Sequence, residues 1–263
     1  MTLWTKEHAI TLIPTFVAMV VVALIMRHFL KNKEEKFRMI PIQVIAVTLV
    51  VLEIGKQIYS ILHGYDLYHI PLHFCSLFIY MLPLFAFYKG KFVQHIRAFT
   101  TMCCAMLFVF LAVYPDLIYG AGDITNFFNG YLNFHTVVFH NLALFASILI
   151  LALNLFTPET KRDTKTLFIG FGIYSAIAGT MAQLLKTNFN NFYECNIPPL
   201  RSVQVAVVDK LGWFGQLIYV LVTALLIYIF ALVCYWLYRG FLALVKIIKK
   251  AIANRKQNKA EQN

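Results

Sequence analysis

Apolar residues run along this chain in long blocks, separated by short clusters of charge, and the blocks are too long and too uniform for the half-buried elements of a soluble domain. About 20 apolar residues cross a hydrocarbon core. On that ruler seven runs qualify, at roughly 9–29, 40–62, 71–88, 98–119, 134–156, 166–186 and 211–238. The third is the shortest and opens on Pro71, a residue suited to a first helical turn because the N–H it lacks would have no partner there. The last is long enough to tilt or to extend past the bilayer. The pattern predicts an all-α bundle of about seven transmembrane helices over residues 1–240. A basic tail follows over 241–263, amphipathic at first and then polar, read as an inner-surface helix leading into disorder.

The positions of the basic residues fix an orientation. With the N-terminus outside, the inner loops hold Arg27, Lys31, Lys33, Lys36, Arg38, Lys89, Lys91, Arg97, Lys161, Arg162 and Lys165. The tail adds Arg239, Lys246, Lys249, Lys250, Arg255, Lys256 and Lys259, which brings the inner side to 18 of the 23 basic residues. Only Lys6, Lys186, Arg201 and Lys210 fall outside, and Lys56 lies within a span. Basic residues accumulate on the cytoplasmic side of membrane proteins, so the expectation is a multi-pass protein of the cell membrane, N-out and C-in. Dropping one span would scatter the basic loops to both sides.

Composition agrees: 60% of the residues are hydrophobic and 13% charged, against about 25% charged in soluble domains. A net charge of +11 would suit nucleic acid, but charge confined to loops and tail argues against that partner and for membrane phospholipids. The five cysteines form no CxxC pair, so neither a zinc site nor a disulfide framework is expected. No HxxxH or HExxH spacing calls for another metal, and no cofactor is expected. The opening MTLWTKEH lacks the basic region and cleavage site of a signal peptide.

Charged and polar groups inside spans are costly and therefore informative. Glu53 and Lys56 lie in the outer half of the second run, at i,i+3 on one face, where they can pair. The third run opens with His73, Cys75 and Ser76. The fourth ends Tyr114-Pro115-Asp116, the fifth opens with His135 and then His140-Asn141, and the sixth closes from Gln183 to Lys186. Five helices thus bring polar side chains to one depth, while their inner halves are nearly bare of them, which predicts a polar cavity opening outward. Cys75 is a potential nucleophile, and a thiol needs a base. On one straight helix His73 would lie nearly opposite Cys75, about 200° around the axis, and would share a face with Ser76. A base from the fifth run, His135 or His140, is at a compatible depth. Cys103 and Cys104 read as buried apolar residues.

The run Pro71-Leu72-His73-Phe74-Cys75-Ser76 resembles the signature of the YwaF / transmembrane-protein-164 family. The Glu53–Lys56 face, the His135-to-His140 pair and the stretch Thr187-Asn188-Phe189 … Pro198-Pro199 agree with it, so the resemblance covers about residues 40–225. It implies a polytopic membrane protein whose relatives move fatty acyl groups between phospholipids through the Cys of this motif. Cys75 would then be the nucleophile, a histidine of the fifth run the base, and His73, Ser76, Glu53, Lys56, Tyr114 and Asn188 the substrate-facing set. Many relatives carry Tyr where Phe189 stands here. Two other classes stay open: a small-solute or proton-coupled transporter relaying protons through Glu53, Lys56, His73 and His140, and a non-catalytic sensor or scaffold. Against transport stand the absence of an internal repeat and of paired broken helices.

Overall fold

A computed structural model describes residues 4–261, and these residues form helices and their connections. The helices are α1 (Lys6–Leu30), α2 (Glu35–Leu62), α3 (Leu77–Phe87), α4 (Val93–Val113), α5 (Ala121–Thr125), α6 (Tyr131–Ala152), α7 (Thr160–Leu185), α8 (Pro198–Leu211) and α9 (Trp213–Glu261). Among the described residues six of them, α1, α2, α4, α6, α7 and α9, are long and apolar enough to cross a membrane.

The helix ends are set locally. The Thr5 hydroxyl accepts the His8 N–H at 3.3 Å while His8 Nδ1 takes the Thr5 N–H at 3.1 Å, a reciprocal cap on the first turn of α1. At the far ends, Lys186 closes α7 with φ 50° and Asn154 follows α6 with φ 53°. Both use the left-handed backbone that frees a helix terminus from its axis.

Contacts between helix ends fix the direction of each crossing. At one end Arg97 on α4 meets Glu35 on α2 at 2.5 Å, and Arg38 on α2 donates to Leu153 O after α6 at 2.8 Å. Arg27 at the end of α1 donates to Ala152 O, and Arg239 on α9 to the Thr160 hydroxyl that opens α7. At the other end His8 Nε2 donates to Tyr119 O at 3.0 Å, and Tyr131 at the start of α6 donates to Leu52 O on α2 at 3.1 Å. The starts of α2 and α4 therefore lie at the same end, so the chain must return across the bundle between residues 63 and 92. That return is the seventh crossing.

It is made by a short helix. Counting its opening 3₁₀ turn, the apolar helix runs Phe74–Phe87, about 21 Å at 1.5 Å per residue, against a hydrocarbon core of about 30 Å. The rest of the crossing is irregular backbone. This corrects the reading of 71–88 as one straight helix. His73 is extended, with φ −69° and ψ 156°, and the helix does not begin until the 3₁₀ turn Phe74–Ser76. His73 and Ser76 consequently share no helical face.

α4 is the central helix, packed on α3, α6, α7 and α9, and Cys103 and Cys104 are buried in its middle. α1 is peripheral and packs on α5 and α6. Two features depart from the hydropathy reading at the C-terminal side. α8 stands where a loop is expected and turns into α9 through Gly212, at φ 55° and ψ −134°. The two helices then run so close that a Cβ on Gly215 would lie 2.6 Å from Val207 O. The backbone also does not break at 240, and α9 continues to Glu261.

The end shared by Arg27, Arg38, Arg97 and Arg239 is the basic end, which the distribution of charge leads us to expect on the cytoplasmic side. A single cysteine placed at Gly130, at the opposite end, is expected to react with a membrane-impermeant maleimide on intact cells. Reaction only after permeabilisation would reverse the orientation.

Candidate functional site

Irregular backbone at membrane depth is tolerated only where the protein satisfies its peptide groups, and the stretch before α3 is satisfied from far along the chain. Asn190 Oδ1 accepts the Phe74 N–H at 2.8 Å, and Asn190 Nδ2 donates to Leu72 O at 3.3 Å. The Tyr174 hydroxyl donates to the same carbonyl at 3.1 Å and also meets the Asn190 amide. One turn earlier, Gln57 Nε2 donates to His69 O at 2.8 Å. Asn190 itself sits at φ 49°, a left-handed conformation that asparagine tolerates. Within the stretch, Ser76 N–H returns to His73 O at 3.0 Å. The outcome is a fixed turn that presents Cys75 half-buried, with the Ser76 N–H and hydroxyl beside its sulfur.

This clamp leads to a prediction. Asn190→Gly keeps the left-handed backbone and removes the amide, leaving the Phe74 N–H without a partner at a cost of about 1–3 kcal/mol, while Leu72 O keeps the Tyr174 hydroxyl. The variant is expected to melt earlier and to expose Cys75 to faster alkylation by a water-soluble maleimide. Unchanged melting and labelling would show that the turn holds itself.

The second cluster is built on α2. Glu53, Lys56, Gln57 and Ser60 repeat at helical spacing on one face. Glu53 is buried, and its Oε1 accepts from Lys56 Nζ at 2.8 Å and from Gln57 Nε2 at 2.7 Å. Its Oε2 faces His135 Nε2 on α6 at 3.5 Å. The pairing expected from the i,i+3 spacing is thus present, and His135 joins it. Gln57 carries the cluster outward, accepting from the Tyr65 hydroxyl at 2.7 Å, and Ser60 bonds His69 Nδ1 at 2.7 Å. Glu53 and Lys56 are near enough to Cys75 and His73 for their charges to be felt there.

The histidines are committed to other partners than the thiol. His73 Nε2 donates to Tyr68 O at 3.0 Å, and His73 packs edge-on against Phe189. His140 Nδ1 donates to Thr136 O at 2.7 Å, and its ring meets Tyr119 edge-on. No histidine nitrogen hydrogen-bonds the Cys75 sulfur among the described residues. α3 packs on α2 and α4, whereas α6 packs on α1, α2, α4 and α5, so α2 and α4 both stand between the thiol's helix and that of His135 and His140.

Of the other sequence-selected residues, Ser76 is buried beside Cys75, and Tyr114 is half-buried at the end of α4, its N–H on Phe110 O at 2.7 Å. Asn188 folds its own loop: its amide donates to Glu194 O at 2.9 Å and to Asn196 Oδ1 at 3.1 Å, and its oxygen accepts the Tyr193 and Glu194 N–H groups. The polar groups bond one another, and neither of two cavities toward the outer end, of about 390 and 470 Å³, is lined by Cys75 or Glu53. Sequence reasoning missed Asn190, Tyr174, Gln57 and His69. A run of asparagines just past a helix end, 188 and 190–191, is the signal that marks left-handed turns and could have drawn attention to Asn190.

Neither a curated protein nor a solved structure matches the chain. A family model does, over residues 3–238, which takes in all seven crossings, the Cys75 turn, the Glu53 cluster and the Asn190 loop; the chain belongs to the TMEM164 family.

Proposed function

We propose that this protein moves fatty acyl groups between membrane lipids, with Cys75 as nucleophile. The observation that carries the reading is the setting of the thiol. Of five cysteines, Cys75 alone is not fully buried, and it sits on an irregular turn held at membrane depth, ahead of a helix that packs on α2, the helix carrying the buried Glu53–Lys56 pair. Unwound backbone within a membrane, kept in place by distant side chains, is a common setting for function. In the proposed reaction the thiolate attacks a lipid ester carbonyl, the C–S bond forms, and the C–O bond to the glycerol breaks. The released alkoxide takes a proton, and an acceptor hydroxyl then attacks the thioester to regenerate the thiol. A histidine of α6, His140 or His135, is the proposed base that takes the thiol proton. Ser76, His73, Lys56, Tyr114 and Asn188 are the proposed headgroup-side contacts.

The test is to trap the intermediate. Protein incubated with a phospholipid carrying a labelled acyl chain should retain label that neutral hydroxylamine releases, and Cys75→Ala should retain none. A second reading, proton-coupled transport, is favoured by the buried Glu53–Lys56–His135 cluster alone. It requires equal labelling of the two proteins, and that result would remove the acyl-transfer proposal.

A further inference from the structure

A cleft of about 390 Å³ lies at the outer end of the bundle, where the end of α7, the loop after it, α8 and the start of α9 meet. Its size falls within the range of about 300–1,000 Å³ usual for small-molecule sites. The chain builds it around one turn. Asp209 precedes the bend at Gly212 and Trp213 follows it, and both residues line the cleft. The two arms of that bend pack on each other so closely that only glycine fits at 215. A chain of three glutamines makes the floor: Gln204 Nε2 donates to Gln216 Oε1 at 3.2 Å, and Gln216 Nε2 to Gln183 Oε1 at 3.2 Å. Gln204 and Gln216 also both donate to Tyr193 O, at 3.1 and 2.8 Å, which ties the loop to both helices.

The charges around this cleft do not balance. Glu194, Arg201 and Asp209 line it, and Arg201 Nη2 bonds Glu194 Oε2 at 2.7 Å, so those two offset each other. The Asp209 carboxylate, exposed to solvent, makes no ion pair or hydrogen bond among the described residues. One negative charge is left over. Beside it on the lining, Trp213 is 78% exposed, and an indole face attracts cations and packs on the apolar surface of an organic one. A carboxylate with an accessible indole is a recognition set for an ammonium group carried on carbon. A bare metal ion is served less well, since no group of three His, Cys, Asp or Glu side chains converges among the described residues. Trp213 opens α9 at the outer end, the headgroup level at which tryptophan accumulates in membrane proteins. The cleft is therefore within reach of lipid headgroups and of solutes outside.

We propose that this cleft binds an organic ammonium group, the cation held between the Asp209 carboxylate and the face of Trp213, and supplied either by a lipid headgroup or by a free amine. The site is separate from the Cys75 turn and does not depend on the acyl-transfer reading. The test uses the full-length protein in nanodiscs of phosphatidylglycerol, whose headgroup carries no ammonium, with choline and its uncharged carbon analogue 3,3-dimethylbutanol as probes. Each has nine equivalent methyl protons, so saturation-transfer NMR reads both in the same way, with empty nanodiscs subtracted. Choline is expected to bind about tenfold more tightly than the analogue, a ratio that a partly exposed cation–π contact with a carboxylate beside it supports. Asp209→Asn, a near-isosteric change at an exposed position, should erase the preference, and Trp213→Leu should weaken choline binding. Repeating the titration in phosphatidylcholine nanodiscs tells the sources apart. Loss of the free choline signal there shows the site filled by headgroups, and an unchanged signal shows a site for free amines; both support the proposal. Equal binding of the two probes to wild type in phosphatidylglycerol, or binding of neither, would overturn it. So would choline binding by Asp209→Asn equal to that of wild type. The first two outcomes are read on wild type and do not depend on how the variants fold.

Discussion

If the protein moves acyl groups as proposed, Cys75→Ser is expected to lower transfer by about a thousandfold or more, in line with the loss of a nucleophile elsewhere, while the protein keeps its melting temperature. The exchange alters one atom, on a turn whose backbone is held by Asn190, Tyr174 and Gln57 rather than by the thiol. Packing should therefore survive. The chemistry should not, because a hydroxyl surrenders its proton far less readily than a thiol and would need stronger activation than the Cys75 surroundings provide. Cys103→Ser and Cys104→Ser are the matched controls: both positions are fully buried in α4, so these exchanges should cost stability and spare turnover per folded molecule. Labelled-acyl exchange in proteoliposomes, measured beside thermal unfolding, separates the two effects. Full turnover by Cys75→Ser would end the nucleophile assignment.

The largest loss of stability is expected from Glu53→Ala. Glu53 accepts from Lys56 and Gln57 and faces His135 Nε2 at 3.5 Å, and the side chains of Glu53 and Lys56 are 7% and 14% exposed. Removing the carboxylate strands a buried ammonium, and breaking a buried pair from one side costs about 3–5 kcal/mol. Replacing both partners together, Glu53→Leu with Lys56→Leu, should recover most of that loss, because a well-packed apolar pair does as well as a buried ion pair. Thermal unfolding of the three proteins in the same detergent measures the difference. If Glu53→Ala melts like wild type, the cluster is hydrated and the charge carries no structural weight.

Much of this architecture was legible in the chain because hydropathy blocks report burial in lipid directly. The runs at 9–29, 40–62, 134–156 and 166–186 fall inside α1, α2, α6 and α7 to within a few residues, and the i,i+3 spacing alone anticipated the Glu53–Lys56 pair. The start of α3 was not legible. Pro71 reads locally as a helix opener, yet the backbone stays irregular until Phe74 because its peptide groups find Asn190 and Tyr174, more than 100 residues away. No local pattern encodes that. α8 escaped for a different reason: at 14 residues, with valines, Gln204, Asp209 and Lys210 intermixed, it is too short and too polar to register as a span. Asn190 was passed over because its role depends on a backbone angle, which composition does not display.

The unbroken course of α9 has a mechanical consequence. Tyr235 packs against Asp163, and Arg239 bonds the Thr160 hydroxyl, so the helix is gripped at the basic end of the bundle and leaves it without a joint. Lys246, Lys249 and Lys250 follow at i, i+3 and i+4 and share one side of the cylinder. With 3.6 residues per turn, the compass bearing of that side is dictated by the seating of Tyr235, and a residue inserted at Gly240 would rotate it by about 100°.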